Sequence, residues 1–76
     1  NAAVKATLDA ANPTELVGRQ IISRDRTDGW RFFVPEGWLL FRLSGTEPLL
    51  RIYTEVTDQA LVDPILEAGK VIAGVA

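Results

Sequence analysis

Arg42, Ser44, Gly45, Thr46 and Arg51 bring two guanidinium groups, two hydroxyls and a bare glycine into ten consecutive positions. The chemistry open to that set is the capture of an anion. An arginine presents a planar fork of donors that matches two phosphate oxygens at once, and it keeps its charge at any relevant pH. Ser44 and Thr46 each add a hydroxyl donor, and Gly45 lets loop N–H groups come close to the anion. Pro48 fixes its own φ and stiffens the loop exit, so the donors would be held ready instead of being ordered on binding. A dianion there would receive several charge-assisted hydrogen bonds.

Two plainer readings use the same residues. Ser44 to Glu47 also reads as S-x-x-E, a capping box that would open a helix with Pro48 just inside it. A hairpin turn with an incidental arginine fits the composition as well. The residues that follow favour a strand over a helix: Leu50, Ile52 and Thr54 alternate with Arg51, Tyr53 and Glu55 in a stretch rich in β-formers. Glu47 is read as an acceptor that stiffens the loop, with contact to a neighbouring domain as the alternative.

The elements that must position the loop follow from punctuation and period. Residues 17–25 form a first strand candidate centred on Ile21 and Ile22, and Thr27-Asp28-Gly29 is a turn signal in which Gly29 can take a positive φ. Residues 30–34 make a second strand, Pro35-Glu36-Gly37 the next turn, and residues 38–43 a third strand that ends at the loop. Residues 49–56 return antiparallel across five loop residues. Period two puts Arg42 on the face of Trp38 and Leu40, and Arg51 on the face of Leu49 and Tyr53. Leu39, Phe41, Leu43, Leu50, Ile52 and Thr54 make the more consistent apolar set and should meet the helices. Both arginines are left on the other side, where they would converge near one loop.

Residues 2–11 read as an Ala-rich helix with Val4, Leu8 and Ala11 along one face, ended by Asn12-Pro13. Residues 58–75 read as the covering helix, with Leu61, Ile65, Ala68, Ile72 and Val75 in a stripe and Val62 and Leu66 beside it. Thr57 or Asp58 suits its N-cap. Proline inside a helix costs on the order of 3 kcal/mol, so a short first turn is expected before a main helix with Asp63 as cap and Pro64 at its first position. The fold class is α+β: a four-stranded antiparallel sheet with helices packed on one face. Residues 1–16 are read as a helix and linker from a preceding domain, and residues 17–76 as the anion-binding domain.

Composition narrows the function classes. Seventy-six residues, 47% hydrophobic and 24% charged, make one small folded domain with a modest core. With no cysteine and no histidine there is no disulfide, no Cys/His zinc site and no histidine acid-base group. A net charge of −2 and a pI near 4.9 oppose general affinity for nucleic acid or anionic membrane. No apolar run reaches the length of a membrane span, and a cytoplasmic location is the default. Asn1 at the start and the absence of methionine suggest a piece of a longer protein. Asp25 and Asp28 read as a solvated turn, since the further ligands calcium needs are missing. Trp30, Phe32, Phe33, Trp38, Phe41 and Tyr53 read as core aromatics in preference to a stacking platform for single strands.

The stretch from Arg42 to Tyr53, RLSGTEPLLRIY, resembles the phosphate-binding loop of the α-D-phosphohexomutases, the family of phosphoglucomutase, phosphomannomutase and phosphoglucosamine mutase. Their pattern R-x-S-G/N-T-x-P, with a second arginine on the next strand, lies in the C-terminal fourth domain. Asp28-Gly29-Trp30-Arg31-Phe32-Phe33 and the acidic-apolar helix are similar to that domain too, so the likeness covers about residues 17–74. The resemblance implies a fold like that of the TATA-binding protein, and a domain that grips the phosphate not being transferred while hinging to close the cleft. Arg42, Ser44, Gly45, Thr46 and Arg51 are the residues that it points to. Gly45 stands where some members carry asparagine, which removes one side-chain donor.

For the whole enzyme the resemblance implies a phosphoserine in the first domain, Mg²⁺ held by aspartates of the second and a sugar-recognition loop in the third. Phosphate would move reversibly between O1 and O6 of a hexose through a 1,6-bisphosphate. The implied partners are a phosphorylated hexose and the preceding domains of the same chain, with no nucleic acid and no membrane. No catalytic residue and no metal ligand is expected within these 76 residues, and the sequence alone should not turn over substrate. A stand-alone anion-binding or regulatory module, and an interaction module on the TATA-binding-protein pattern, are the alternatives.

Overall fold

A computed structural model describes residues 2–44 and 49–75 of the chain. Gly45, Thr46, Glu47 and Pro48 lie outside the described residues, as do the two terminal residues. The Ala-rich start forms helix α1 (Ala2–Ala10), which stops ahead of Pro13 because the residue before a proline is driven out of the α region. A small hairpin follows, β1 (Glu15–Leu16) against β2 (Arg19–Gln20). The main sheet is built from β3 (Ser23–Asp25), β4 (Trp30–Val34), β5 (Gly37–Leu43) and β6 (Leu50–Val56), antiparallel throughout and in the order β3-β4-β5-β6. A 3₁₀ turn (Gln59–Leu61) then leads into helix α2 (Val62–Ala73).

Period-two alternation decides the faces. Register pairs Trp30 with Phe41, Phe32 with Leu39, Phe41 with Ile52 and Leu43 with Leu50, so these side chains share one side of the sheet. That side carries the core: Trp30, Phe32, Val34, Leu39 and Phe41 are buried together with Ile65, Leu61 and Ala73 from the α2 segment, Leu8 from α1 and Leu16 from β1. The rings of Phe32 and Phe41 meet edge to face, centroids 6.1 Å apart, an arrangement that suits the quadrupoles of both rings. Each such side chain contributes roughly 1.5–3 kcal/mol by leaving water. Leu8 is 1% exposed, so α1 packs into the same core as the sheet, and Trp30 Nε1 donates to Asp9 Oδ1 at 3.0 Å.

The first strand differs from the single run expected over residues 17–25. Val17 and Gly18 both take positive φ, 49° and 78°, which makes a two-residue hairpin of residues 15–20 and ends the strand before the isoleucines. Ile21 then bonds back to Thr14, and Ile22, 62% exposed, donates its N–H to Phe33. Only residues 23–25 join the main sheet from that stretch.

The second helix differs at both ends. Asp58 caps the 3₁₀ turn by accepting from the Ala60 N–H at 3.0 Å. α2 runs on from Leu61 with no cap at Asp63, and Pro64 falls within its first turn, where an N–H would have no intrahelical partner anyway. Gly74 closes it in the left-handed conformation, φ 76°, and Val75 bonds back to Lys70 O at 3.0 Å, so Val75 leaves the stripe and is exposed. Gly69 and Ala73 are buried in its place. Bare Gly69 lets the helix close on the sheet: a Cβ there would stand 3.3 Å from Ile52 Cγ2 and 3.4 Å from the Leu39 methyls. Among the described residues no helix is long and apolar enough to cross a membrane.

Candidate functional site

The candidate site grows from the β5–β6 hairpin. The two strands stay in register up to the loop mouth, with Leu43 opposite Leu50, and the Ser44 N–H donates to Leu49 O at 3.0 Å. Residues 50–56 form a strand, as expected, and not a helix; the capping-box reading of Ser44 to Glu47 falls largely outside the described residues. Arg42 stands directly opposite Arg51. Both are exposed, and both lie on the face turned away from the helices.

Direct cross-strand partners have Cβ atoms roughly 4.5–5.5 Å apart, and like charges in that relation repel. Among the described residues neither guanidinium enters an ion pair with a carboxylate. Arg42, Leu43, Ser44 and Arg51 together line a depression of about 250 Å³. Two opposed forks at the rim of a polar hollow offer the donors that an anion needs, and a bound dianion would turn their repulsion into paired attraction. Of the five residues predicted from the sequence, Arg42, Ser44 and Arg51 are brought together here. Gly45 and Thr46 lie outside the described residues.

The same open face carries what the sequence reading assigned to the core. Trp30, Phe32 and Phe41 are buried under the helices, but Phe33, Trp38 and Tyr53 alternate with them onto the outer side. Register sets Leu40 between Arg31 and Tyr53, so a leucine and a tyrosine adjoin the arginine pair. The Arg31 guanidinium is 5.0 Å from the centroid of Trp38 and 6.0 Å from that of Phe33, held by cation–π attraction in the direction away from Arg42. One neighbour of Arg42 was legible only as a turn residue: Gly29 packs against its stem, where a Cβ would stand 3.3 Å from Arg42 Cγ.

The acidic turn has its own internal use. Asp25 Oδ1 accepts from the Thr27 hydroxyl at 2.6 Å and from the Thr27 N–H at 2.8 Å. Those bonds, the hydroxyl's first, hold its carboxyl below the usual carboxylate range. Among the described residues no group of three or more acidic, histidine or cysteine side chains is placed to hold a metal ion.

Residues 1–68 match the family described as phosphoglucomutase/phosphomannomutase, C-terminal domain. The chain is 37% identical to a phosphoglucomutase/phosphomannomutase of Thermococcus kodakarensis over 78% of its own length. It is 39% identical to a phosphoglucosamine mutase of a Synechococcus species over 70% of its length. A probable phosphoglucosamine mutase of Methanocella arvoryzae is 47% identical over 50% of the chain. The chain thus belongs to the phosphoglucomutase/phosphomannomutase family, as a C-terminal domain of the phosphohexomutase type. It spans 13% of the Thermococcus protein and 15% of the Synechococcus one.

Proposed function

We propose that this chain supplies the substrate-phosphate grip of a phosphohexomutase, an enzyme that moves phosphate reversibly between O1 and O6 of a hexose. In that reaction a phosphoserine elsewhere in the enzyme gives its phosphoryl group to the free hydroxyl of the sugar phosphate. The resulting 1,6-bisphosphate returns its other phosphoryl group to the same serine, so the enzyme ends as it began. Magnesium, which the family's chemistry implies, would neutralise charge on the group in transfer. Among the described residues no group of three or more acidic, histidine or cysteine side chains could hold that ion.

The observation that carries the reading is the opposition of Arg42 and Arg51 at the rim of the depression beside Ser44. A grip on the phosphate that stays put orients the sugar for the phosphate that moves. Phosphoryl transfer depends mainly on such positioning and on charge stabilisation. Binding energy from this remote end can be realised on cleft closure and spent at the reacting centre. Gly45 and Thr46 complete the donor set, and the preceding domains enclose it. The hexose can be a glucose, mannose or glucosamine phosphate: the relatives' names divide over it, and the grip touches only the phosphate.

Steady-state kinetics of the longer enzyme test this. Arg42→Ala should raise KM and also lower kcat, and unaltered kinetics would contradict the assignment. The 76-residue chain itself is expected to bind inorganic phosphate in the millimolar range without turnover, since a partial site lacks the enclosing walls. Amide shifts on titration with phosphate should centre on Arg42 to Arg51.

A further inference from the structure

We propose that Gly29 is a positioning residue for the anion grip: bare backbone at this point lets the turn before β4 lie against β5 at the stem of Arg42, and so sets where that guanidinium stands. The inference rests on the reading of Arg42 as a phosphate ligand.

Gly29 has φ 146°, a conformation that side chains of L-residues rarely adopt. A Cβ built there would overlap the backbone carbonyl oxygen of Phe41, and would stand 3.3 Å from both the Phe41 carbonyl carbon and Arg42 Cγ. The obstructing atom is backbone, so no side-chain rotation relieves the overlap. β5 has no room to retreat either, because Phe41 is fully buried and paired to Trp30 on one side and Ile52 on the other. Any added atom at position 29 must therefore move the turn, and the turn is the wall against which the Arg42 stem rests.

The other side of the turn is clamped as well. Arg26 Nη1 donates to Gly29 O at 2.8 Å, while its guanidinium lies 4.0 Å from the Trp30 ring centroid and reaches Asp9 Oδ1 at 3.3 Å. Gly29 is thus wedged between an arginine that fixes it and an arginine that it fixes. An Arg42 held in one stem geometry loses less freedom on meeting an anion than one that must first be ordered.

The test is heteronuclear NMR of the Asn1–Ala76 chain with inorganic phosphate as probe. In Gly29→Ala the amide dispersion of a folded domain should persist. The Arg42 Nε–Hε signal should shift and its ¹H–¹⁵N NOE fall, and the phosphate Kd should rise about tenfold, the scale of one lost charge-assisted hydrogen bond. An unmoved Arg42 side-chain signal, or a wild-type phosphate Kd beside a moved one, overturns the proposal. Should Gly29→Ala fail to fold, Arg26→Gln withdraws the bond to the Gly29 carbonyl without adding an atom at position 29. The same displacement of the Arg42 signal must then appear, and its absence overturns the proposal. If the unmodified chain itself ignores phosphate while Gly29→Ala still moves the Arg42 signal, it is the reading of Arg42 as a phosphate ligand that falls.

Discussion

The two faces of the one sheet obey opposite rules. Toward the helices, β4, β5 and β6 present Trp30, Phe32, Leu39, Phe41 and Ile52, all of which meet apolar partners. On the outer side the same strands present Arg42 opposite Arg51, with exposed Tyr53 and a covered Leu40 in the next row. The first face is arranged so that every contact lowers the free energy of the folded chain. The second sets like charges side by side, which repel in the absence of a ligand and, on the function proposed above, would attract an anion together. A substitution on the inner face should therefore be read out as stability, and one on the outer face as affinity.

The largest effect expected is on the inner face. Phe41 is fully buried at the centre of β5, and Phe→Ala at such a site costs about 3–5 kcal/mol. A 76-residue domain has a total stability of about 4–11 kcal/mol. Phe41→Ala should lower the urea midpoint severely or leave the chain unfolded. A variant that melts within a few degrees of the parent would show that the core is not centred where the structure puts it.

The matching substitution on the outer face should do the reverse. Hydrogen bonds to charged groups contribute about 1.5–3 kcal/mol each, so Arg51→Ala should weaken phosphate binding by about tenfold or more. Without phosphate its thermal midpoint should stay level or rise slightly, because one of two repelling charges is gone. Adding phosphate should stabilise the parent chain and have less effect on the variant. If Arg51→Ala lowered stability as a core substitution does, while phosphate affinity held, the contrast between the faces would fail.

An intermediate effect is expected at the helix–sheet seam. Gly69 sits where α2 comes closest to Ile52 and Leu39, and overpacking such a contact costs about 1–3 kcal/mol. Gly69→Leu should lose that much by chemical denaturation and leave phosphate affinity unchanged. A loss of affinity of similar size would mean that the helix-covered face transmits its packing to the arginines.

Most of this division was legible in the sequence, and what escaped has physical causes. Strict alternation in β6 and the glycine and proline turns around β4 and β5 fixed the strands, and period two placed Arg42 and Arg51 on one side. The hairpin of β1 and β2 left no such mark, since it needs Val17 at φ 49°, a conformation that a β-branched residue does not advertise. Residue type points Phe33, Trp38 and Tyr53 to the core, although their phase in the strands puts them outside. A hydrophobic pattern picks Val75 over Gly69 and Ala73, because it underweights the small side chains that a close helix–sheet contact favours. Gly29 reads as a turn, but its contact with Arg42 depends on the pairing of Trp30 with Phe41, which holds only because the turn is limited to Pro35 and Glu36 and Gly37 already belongs to β5.

The smallest effect concerns acid, and it joins α1 to the edge of the buried face. The Asp9 carboxyl lies below its ordinary range chiefly through the hydrogen bond from Lys5, with the Trp30 indole N–H, the Lys5 charge and the Arg26 charge acting the same way against a desolvation penalty. A carboxyl whose folded-state pKa is depressed favours folding above its unfolded-state value, and that contribution is lost as pH falls through the folded-state value. Asp25, held low first by the Thr27 hydroxyl, adds to the same trend. The thermal midpoint should thus decline from near the ordinary carboxyl pKa of 3.8 downward and hold steady toward neutrality. Asp9→Asn keeps an acceptor for Trp30 and removes the titration, so its midpoint should start lower at neutral pH and converge on that of the parent in acid. Melting curves taken at intervals from pH 7 to about pH 2 measure this. An Asn variant that runs parallel to the parent across the whole range would show that the tie between α1 and Trp30 does not depend on the carboxylate charge.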